Sequence, residues 1–517
     1  MTKKQSAIRI PRSAFVWLLF ALIIVFVYFF ALGSLPLVGP DEPRYAQIAR
    51  EMFERGDWLT PTLGGANWFE KPVLLYWLQI ISYKLFGVSE FAARFGPALF
   101  GLGTIFSLWI LGRNSATERT ENFEKESKHF ANWLALIAAS SIGLLVFSRG
   151  ASFDIILTFP ITASLVSFFI FDRSKKKSGF TFHFSLFTFY FFIGVALLAK
   201  GLVGIVFPFA IVAFYYLLSW RVPDRKFLFS LIWGTLLSLL VAGIWYLPMY
   251  QAHGWKFVDE FFIQHHFARY TSNKYQHPQP FYFFLWVLPL MTIPWLPFFL
   301  ASIWDFFKGI FKRRDAETQR KLTRFLPFSS SPLLLFSFSW LLVPLVFFSF
   351  SGSKLPGYIL PALPAALILT AECVFRFVQR SKKREIVVQI FAVLTFAVVA
   401  CLLQFVAPKY AESYSVKTLI ETANAKGYGS EKITNLFTVS HNAEFYAAGR
   451  VVRDADGKLK RYDDFLVLAN EMKGENARQI LVLVPHPNTK DITESPLVEA
   501  EVLADNGDTA IVLVKPK

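Results

Sequence analysis

Hydrophobic residues in this chain are grouped into long runs, which short polar segments separate. An apolar run of about twenty residues is long enough to cross the hydrocarbon core of a bilayer as an α-helix. Such runs lie near residues 14–32, 92–112, 131–148, 153–171, 181–199, 202–218, 227–247, 281–303, 332–350, 359–378 and 386–406. The pattern predicts a polytopic α-helical membrane protein with about eleven spans.

The apolar segment Val73–Phe86 is too short to span a bilayer comfortably. Pro72 fits the first turn of a helix there, and Gln79 and Lys84 would give that helix a polar edge. We interpret the segment as a helix lying in the outer membrane interface. Counting it as a span would reverse the side assigned to every later loop.

The hydrophobic pattern changes after Phe405. Short β-branched runs, which favour strands, alternate there with helical stretches and turns. The runs are KITNLFTVS, RQILVLVPH and TAIVLVKPK. The chain is therefore predicted to divide into a membrane domain of residues 1–406 and a soluble α/β domain of residues 407–517, which is large enough for its own core.

Basic residues are concentrated in loops between the apolar runs. Counted from a cytoplasmic N-terminus, each strongly basic loop falls on the inside, as the positive-inside rule expects. The basic loops are 113–128, 173–177, 221–226, 308–324 and 380–384. The net charge of +16 is thus explained by membrane topology rather than by nucleic-acid binding, and the C-terminal domain falls on the extracytoplasmic side.

The N-terminal run Ala14–Leu32 follows several basic residues and ends in Ala-Leu-Gly, a combination that resembles a secretory signal with its cleavage site. The run is longer than the usual signal core of about 7–15 residues, which favours an uncleaved first span. Cys373 and Cys401 both lie inside apolar runs, a position that predicts neither a disulfide framework nor a metal site.

Ionisable side chains recur at the outer ends of the predicted spans. A charge at membrane depth costs roughly 2.5 kcal/mol or more, so such groups usually line a cavity or pair with one another. The residues concerned are Asp41, Glu42, Arg44, Glu70, Lys71, Arg149, Asp154, Lys200, His265, Arg269, Lys354 and Tyr358. Their shared side predicts one charged site at the outer membrane surface.

The segment that begins at Asp41 carries apolar residues at helical spacing, and Gly56 is placed to end a helix there. Asp41 or Glu42 can cap its N-terminus. Capping accounts for only one of these adjacent carboxylates, which favours a catalytic role in addition.

Lys71 precedes a proline, which favours an extended backbone at the lysine. An ammonium group at headgroup depth suits a phosphate, although an interfacial lysine often only extends towards water. Lys200 and Lys354 allow the same two interpretations. Three lysines on one side, with Arg269 and Tyr358 as further donors, favour an anion site.

The loop FFIQHHFARYTSNKYQHPQP contains His265, which could form a metal site with Glu70 or Asp154. The spacing is not that of a compact metal motif. The sequence shows no Ser-His-Asp arrangement, Walker loop or Rossmann glycine fingerprint. The lack of these three motifs disfavours a hydrolase, an ATPase and a nucleotide-sugar enzyme.

Seven motifs in order resemble the GT-C class of membrane glycosyltransferases, and in particular the branch of the lipid A aminoarabinose transferases and the dolichyl-phosphate-mannose protein mannosyltransferases. They are PDEPRYAQIAREM, GDWLTP, FEKPVLLYWL, GVSEFAARFGPAL, RGASFDIILTF, LLAKGL and SGSKLPGYILPALPA, within residues 14–410. The resemblance implies a GT-C fold and a transferase that takes a sugar from an undecaprenyl- or dolichyl-type phosphate, with inversion. The acceptor would be lipid A, an envelope glycan or a protein on the outer face of the cytoplasmic (inner) membrane.

The resemblance also implies roles for single residues. Asp41 matches the acidic residue that acts as general base on the acceptor hydroxyl, and Glu42 and Asp154 match further acidic positions of the cavity. Lys71 matches the lysine that binds the carrier phosphate, with Arg269 and Tyr358 as helpers. Lys200 and Lys354 are added to the predicted donor-phosphate ligands as the other two lysines of the anion site.

Glu70 and His265 match positions where a divalent metal has been associated with the fold. The family often has Glu-His-Asn where this chain has Gln264-His265-His266. The alternative function is a membrane lipid or glycan transporter, or flippase, without transferase activity. A transporter would place ionisable groups near mid-depth or on both sides, often in repeated halves, and the sequence shows neither.

Overall fold

The computed structural model describes residues 12–115, 123–174, 179–267, 278–317, 331–454, 457–474 and 478–517. The chain is mainly helical up to residue 413 and mixes helices with strands beyond it. The helices of the first part are Arg12–Phe29, Asp41–Arg55, Leu74–Phe86, Glu90–Asn114, Phe123–Ser140, Ile142–Ser148, Phe153–Arg173, Phe180–Lys200, Val203–Leu218, Arg225–Val258, Asp259–Phe267, Phe283–Met291, Leu296–Glu317, Pro332–Ser349, Pro356–Ala362, Leu363–Val378, Lys382–Cys401, Leu402–Val406 and Ala407–Ser413. A multi-pass helical membrane protein is thus confirmed.

Seven helices among the described residues are long and apolar enough to cross a membrane. They are Glu90–Asn114, Phe153–Arg173, Phe180–Lys200, Arg225–His265, Pro332–Ser349, Pro356–Val378 and Lys382–Ser413. The predicted spans at 14–32 and 202–218 are shorter apolar helices, Ala14–Phe29 and Val203–Leu218. The last of the seven continues past residue 406, the predicted domain boundary.

Two predicted spans are interrupted, and the two interruptions meet. The span near 131–148 bends by 62° between Ser140 and Ile142. The span near 281–303 breaks between Phe283–Met291 and the helix that begins at Leu296. Ile142 N–H donates to the Ile293 carbonyl at 2.7 Å, and Trp295 Nε1 donates to Ser140 Oγ at 2.9 Å. These bonds satisfy polar groups that a break at membrane depth would otherwise leave without partners.

The helix Asp41–Arg55 ends as predicted at Gly56, whose φ of +66° is a left-handed conformation that suits glycine. The prediction of an acidic N-cap is wrong. Pro40 occupies the N-cap position without a side-chain hydrogen bond, and Asp41 and Glu42 lie in the first helical turn. Glu42 cannot cap because its oxygens accept hydrogen bonds from other segments, including the Ala151 N–H.

The predicted interfacial helix forms as Leu74–Phe86, with 13 residues. Its buried face carries Tyr76, Ile80 and Tyr83. Gln79 was predicted on the polar edge, but it is fully buried and donates to the Ala93 carbonyl at 3.2 Å. Lys84 is exposed, as predicted.

The C-terminal residues form a mixed five-stranded sheet with helices around it. Its spatial order is Arg461–Tyr462, Ile433–Leu436, Ile480–Pro485, Thr509–Pro516, Val498–Asp505. The first three strands in this order pair in parallel and the remainder antiparallel. The helices that accompany the sheet are Lys417–Ala423, Ala443–Tyr446, Phe465–Gly474 and Thr489–Thr493. Each of the three predicted β-branched runs supplies a strand.

This C-terminal region contacts the membrane domain through hydrogen bonds and an ion pair. Tyr446 Oη accepts from the Leu37 N–H at 2.8 Å and donates to Glu90 at 3.1 Å. Lys417 forms an ion pair with the same Glu90 at 2.7 Å. These contacts place the sheet beside the segment that leads into the helix Asp41–Arg55.

Candidate active site

A cavity of about 340 Å³ lies where several helix ends meet the first loop segments. This volume is within the usual range for small-ligand sites. Its ionisable lining residues are Asp41, Tyr45, Glu70, Lys71, Asp154, Lys200, His265 and Tyr358. Its apolar wall includes Leu202, Val203, Val206, Phe347, Phe348 and Leu355. Seven of the predicted site residues are therefore brought together in one place.

Asp41 lies in the first turn of its helix, where unpaired backbone N–H groups favour a negative charge. Its side chain is 50% exposed, and Arg44 lies 3.5 Å from one of its oxygens. The Arg44 guanidinium stacks at 5.6 Å from the centroid of the Trp68 ring. An accessible carboxylate on a fixed helix end can accept a proton from a bound hydroxyl.

Asp154 and Lys200 form an ion pair of 2.5 Å inside the cavity. Asp154 lies in the first turn of the helix Phe153–Arg173, and Lys200 is the last residue of the helix Phe180–Lys200. The pair thus joins the neighbouring ends of two consecutive helices. Lys200 Nζ also lies 5.0 Å from the centroid of the Tyr358 ring. Gly357 packs directly on the Asp154 carboxylate, where any Cβ would collide with it.

Lys71 and Glu70 form an ion pair of 2.9 Å at the cavity wall, and both side chains are largely buried. They follow a short hairpin of strands Thr62–Leu63 and Ala66–Asn67. The ammonium of Lys71 is thus held in place at the wall and close to a carboxylate. A ligand phosphate would share this cation with Glu70.

Glu42 lies in different surroundings from the adjacent Asp41. It does not occur among the described residues that line the cavity, and it lies buried against Arg94, with N···O distances of 2.8 and 3.1 Å. It also accepts from the N–H groups of Val38 at 3.0 Å and Ala151 at 2.6 Å. Burial acts to raise the pKa of Glu42, but Arg94 and these donors lower it overall. The carboxylate therefore links the first loop to the helix Glu90–Asn114 and to the connecting segment at Ala151.

Arg94 completes this link by donating to the carbonyls of Leu32, Leu35 and Pro36. Sequence reasoning missed Arg94, although a signal existed. It is a lone charge inside the predicted span 92–112, and a charge within a span needs a partner.

One predicted phosphate ligand is not brought into the described cavity. Lys354 is buried outside the described lining, and its ammonium donates to the Ser351 carbonyl at 2.7 Å and the Gln279 carbonyl at 3.0 Å. Burial lowers the pKa of Lys354. Arg269 lies outside the described residues, so its predicted role stays a prediction.

The metal prediction rests on Glu70 and His265, which both line the cavity. Within the described part of the chain, no three His, Cys, Asp or Glu side chains are grouped so as to hold a metal ion. Glu70 is engaged by Lys71. These residues alone make an incomplete ligand set, so no catalytic step is assigned to a metal.

Known proteins resemble this chain in sequence. Residues 13–259 match the family model of dolichyl-phosphate-mannose-protein mannosyltransferases. The undecaprenyl phosphate-alpha-4-amino-4-deoxy-L-arabinose arabinosyl transferase of Shewanella sediminis is 31% identical, over 71% of this chain and 61% of that protein. An uncharacterized protein of Aquifex aeolicus is 31% identical, over 75% of this chain and 70% of that protein. The chain spans about three fifths of the length of the Shewanella transferase.

A solved structure shares the fold along nearly all of the chain. ArnT from Cupriavidus metallidurans, bound to undecaprenyl phosphate, superposes with a TM-score of 0.71 at 23% identity. The match covers 97% of this chain and 98% of that one. The two proteins therefore share a fold.

Proposed function

Because this chain belongs to the GT-C family of polyprenyl-phosphate-dependent membrane glycosyltransferases, in the branch of the aminoarabinose and protein mannosyl transferases, we propose that it transfers a sugar from a polyprenyl phosphate to an acceptor. The proposed acceptor is lipid A, another envelope glycan or a protein. The relatives' names make undecaprenyl phosphate-linked aminoarabinose the first donor to test.

The observation that carries this proposal is the composition of the cavity. Lys71 and Lys200 supply cations, Asp41 supplies an accessible carboxylate, and an apolar wall adjoins them. A polyprenyl phosphate sugar combines an anion, a polar sugar and a hydrocarbon chain, so each part has a matching surface.

The reaction follows from these positions. The oxygen of the acceptor hydroxyl attacks the anomeric carbon of the donor sugar, and Asp41 accepts the proton of that hydroxyl. The bond from that carbon to the phosphate oxygen breaks, and its electron pair leaves with the phosphate. Lys71 and Lys200 stabilise the charge that develops there, and Tyr358, whose ring centroid lies 5.0 Å from Lys200 Nζ, is a further donor. Attack opposite the leaving phosphate inverts the anomeric centre, and the donor linkage supplies the energy without ATP.

We place the protein in the cytoplasmic membrane, with its N-terminus inside and with the cavity and C-terminal domain outside. Asp154 and Lys200 lie at the cavity ends of helices whose opposite ends, Arg173 and Phe180, flank a basic loop. Basic loops favour the cytoplasmic side. Protease added to sealed right-side-out vesicles is therefore expected to cleave within residues 407–517, and complete protection would contradict this orientation.

The function is tested by incubating the purified protein in lipid nanodiscs with radiolabelled polyprenyl phosphate sugars and with lipid A. Transfer of label to an acceptor supports a glycosyltransferase. Movement of intact donor across a sealed bilayer, without transfer, would instead support the transporter alternative.

Lys71→Ala is expected to lower the transfer rate by about 10²-fold, because one fixed donor to the departing anion is lost. The measurement is single-turnover transfer of labelled sugar at saturating donor. Lys84→Ala is the matched control, since Lys84 is an exposed lysine that does not occur among the described lining residues. Equal rates for Lys71→Ala and wild type would remove Lys71 from the proposed phosphate site.

A further inference from the structure

Arg44 lies between two carboxylates that belong to distant parts of the chain. One is Asp41 at 3.5 Å, on the same helix. The other is Glu444 at 3.9 Å, on the helix Ala443–Tyr446 of the C-terminal region. The guanidinium is therefore shared, and its position relative to Asp41 depends on both acids.

Glu444 is itself held in place. Its side chain is only 2% exposed, and its Oε1 accepts a 2.9 Å hydrogen bond from Arg453. Arg453 also donates to the Gly457 carbonyl at 2.9 Å and packs on Gly64 of the short hairpin. A row of alternating charges thus runs from the C-terminal region to Asp41 at the cavity.

We propose that Glu444 is a positioning residue for Asp41 and acts through Arg44. This inference rests on the proposed role of Asp41 as general base. Without the Glu444 carboxylate, Arg44 would pair with Asp41 alone and occupy the oxygen that must accept the acceptor proton. The C-terminal region would thereby hold the base in its working state.

The electrostatic surroundings support this assignment. The other charged or imidazole side chains that line the cavity with Asp41 are Glu70, Lys71, Asp154, Lys200 and His265. The phenols of Tyr45, Tyr76 and Tyr358 lie near them. From the C-terminal side the facing groups are His441 and Glu444.

The pKa values of His441 and Glu444 are shifted in opposite directions. Burial and Arg44 lower the pKa of His441, which favours the neutral imidazole. Burial raises the pKa of Glu444, which Arg453 and Arg44 oppose. The contact with Arg44 at 3.9 Å nevertheless makes Glu444 the C-terminal acid that faces this guanidinium.

Glu444→Gln in the full-length protein tests the proposal. We expect kcat to fall about 3–10-fold, with the KM for donor unchanged, because Glu444 does not touch the phosphate-binding cations. The acidic limb of the pH–rate profile should move to lower pH by roughly half a unit, since a negative charge near Asp41 is removed. Glu471→Gln is the matched control, because it breaks an ion pair with Lys460 in the same region.

A readout that needs no turnover separates this inference from the proposed function. Carbodiimide modifies protonated carboxyl groups, so mass spectrometry of Asp41 labelling against pH reports on this carboxylate directly. The midpoint should fall in Glu444→Gln and stay unchanged in Glu471→Gln. If wild type transferred no sugar, the proposed function would fail while the labelling still decided the inference.

A double-mutant cycle tests the route through Arg44. In an Arg44→Gln background, Glu444→Gln should shift the labelling midpoint much less than in wild type. Should Glu444→Gln not fold, Glu444→Asp, which withdraws the charge by one methylene, is expected to give a smaller shift of the same sign. An unchanged midpoint, or a full shift without Arg44, would overturn the proposal.

Discussion

Asp41→Asn is expected to lower kcat for sugar transfer by about 10²–10⁴-fold, the range usual for loss of a general base. The amide keeps the size of the side chain but cannot accept the acceptor proton. The KM for donor should change less than about threefold, because the proposed ligands of the donor phosphate are the lysines and not Asp41. Steady-state transfer at varied donor concentration measures both quantities.

Glu54→Gln is the matched control for this result. Glu54 lies on the same helix and pairs with Arg50 at the surface, with an N···O distance of 2.7 Å. Such exposed pairs contribute little, so activity and stability should stay near wild type. An Asp41→Asn protein with the activity of Glu54→Gln would show that Asp41 is not the base.

Glu42→Gln is expected to have a quite different effect, namely a loss of about 3–5 kcal/mol in the free energy of unfolding. The substitution leaves the Arg94 guanidinium buried without its counter-charge, in contact with the carbonyls of Leu32, Leu35 and Pro36. Thermal unfolding in detergent, compared with Glu54→Gln, measures the loss. The two substitutions would thus show that Asp41 acts in catalysis and that Glu42 acts in stability.

The pH dependence of stability gives a second check on Glu42. Although burial would raise its pKa, Arg94 and the backbone donors lower it below the ordinary 4.5. A group with a lowered folded pKa stabilises above its unfolded pKa and loses that contribution as pH falls through the folded value. Wild type should therefore lose stability below about pH 4.5, and Glu42→Gln should lose less of it there. A stable Glu42→Gln protein without activity would return Glu42 to the catalytic role that the sequence predicted.

The sequence predicted the gathering of the charged site because membrane insertion is a strong constraint. Once the basic loops assign the sides, Asp41, Lys71, Asp154 and Lys200 must all reach the outer ends of their spans. The described structure places all four at one cavity. The order of the spans and the charge of the loops are thus enough to predict that these four residues lie at one site. They are not enough to predict which groups each residue pairs with.

Partner choice could not be read from the sequence. Glu42 and Lys354 have the same residue types as their cavity neighbours, yet each is bound by groups distant in the chain, such as Arg94 and the Gln279 carbonyl. The sequence also did not predict the helix breaks near Ser140 and Ile293, because the polar groups at each break form hydrogen bonds with the other break and not with nearby residues. Both features depend on tertiary packing.

The proposed function requires the cavity to bind the phosphate of a polyprenyl phosphate. Photo-crosslinking tests it most directly, with an undecaprenyl phosphate analogue that carries a diazirine beside its phosphate. We expect crosslinked peptides from segments 41–45, 70–72, 152–154 and 200–206, with labelling suppressed by undecaprenyl phosphate and weakened in Lys71→Ala. Labelling confined to other segments, or unaffected by undecaprenyl phosphate, would contradict it.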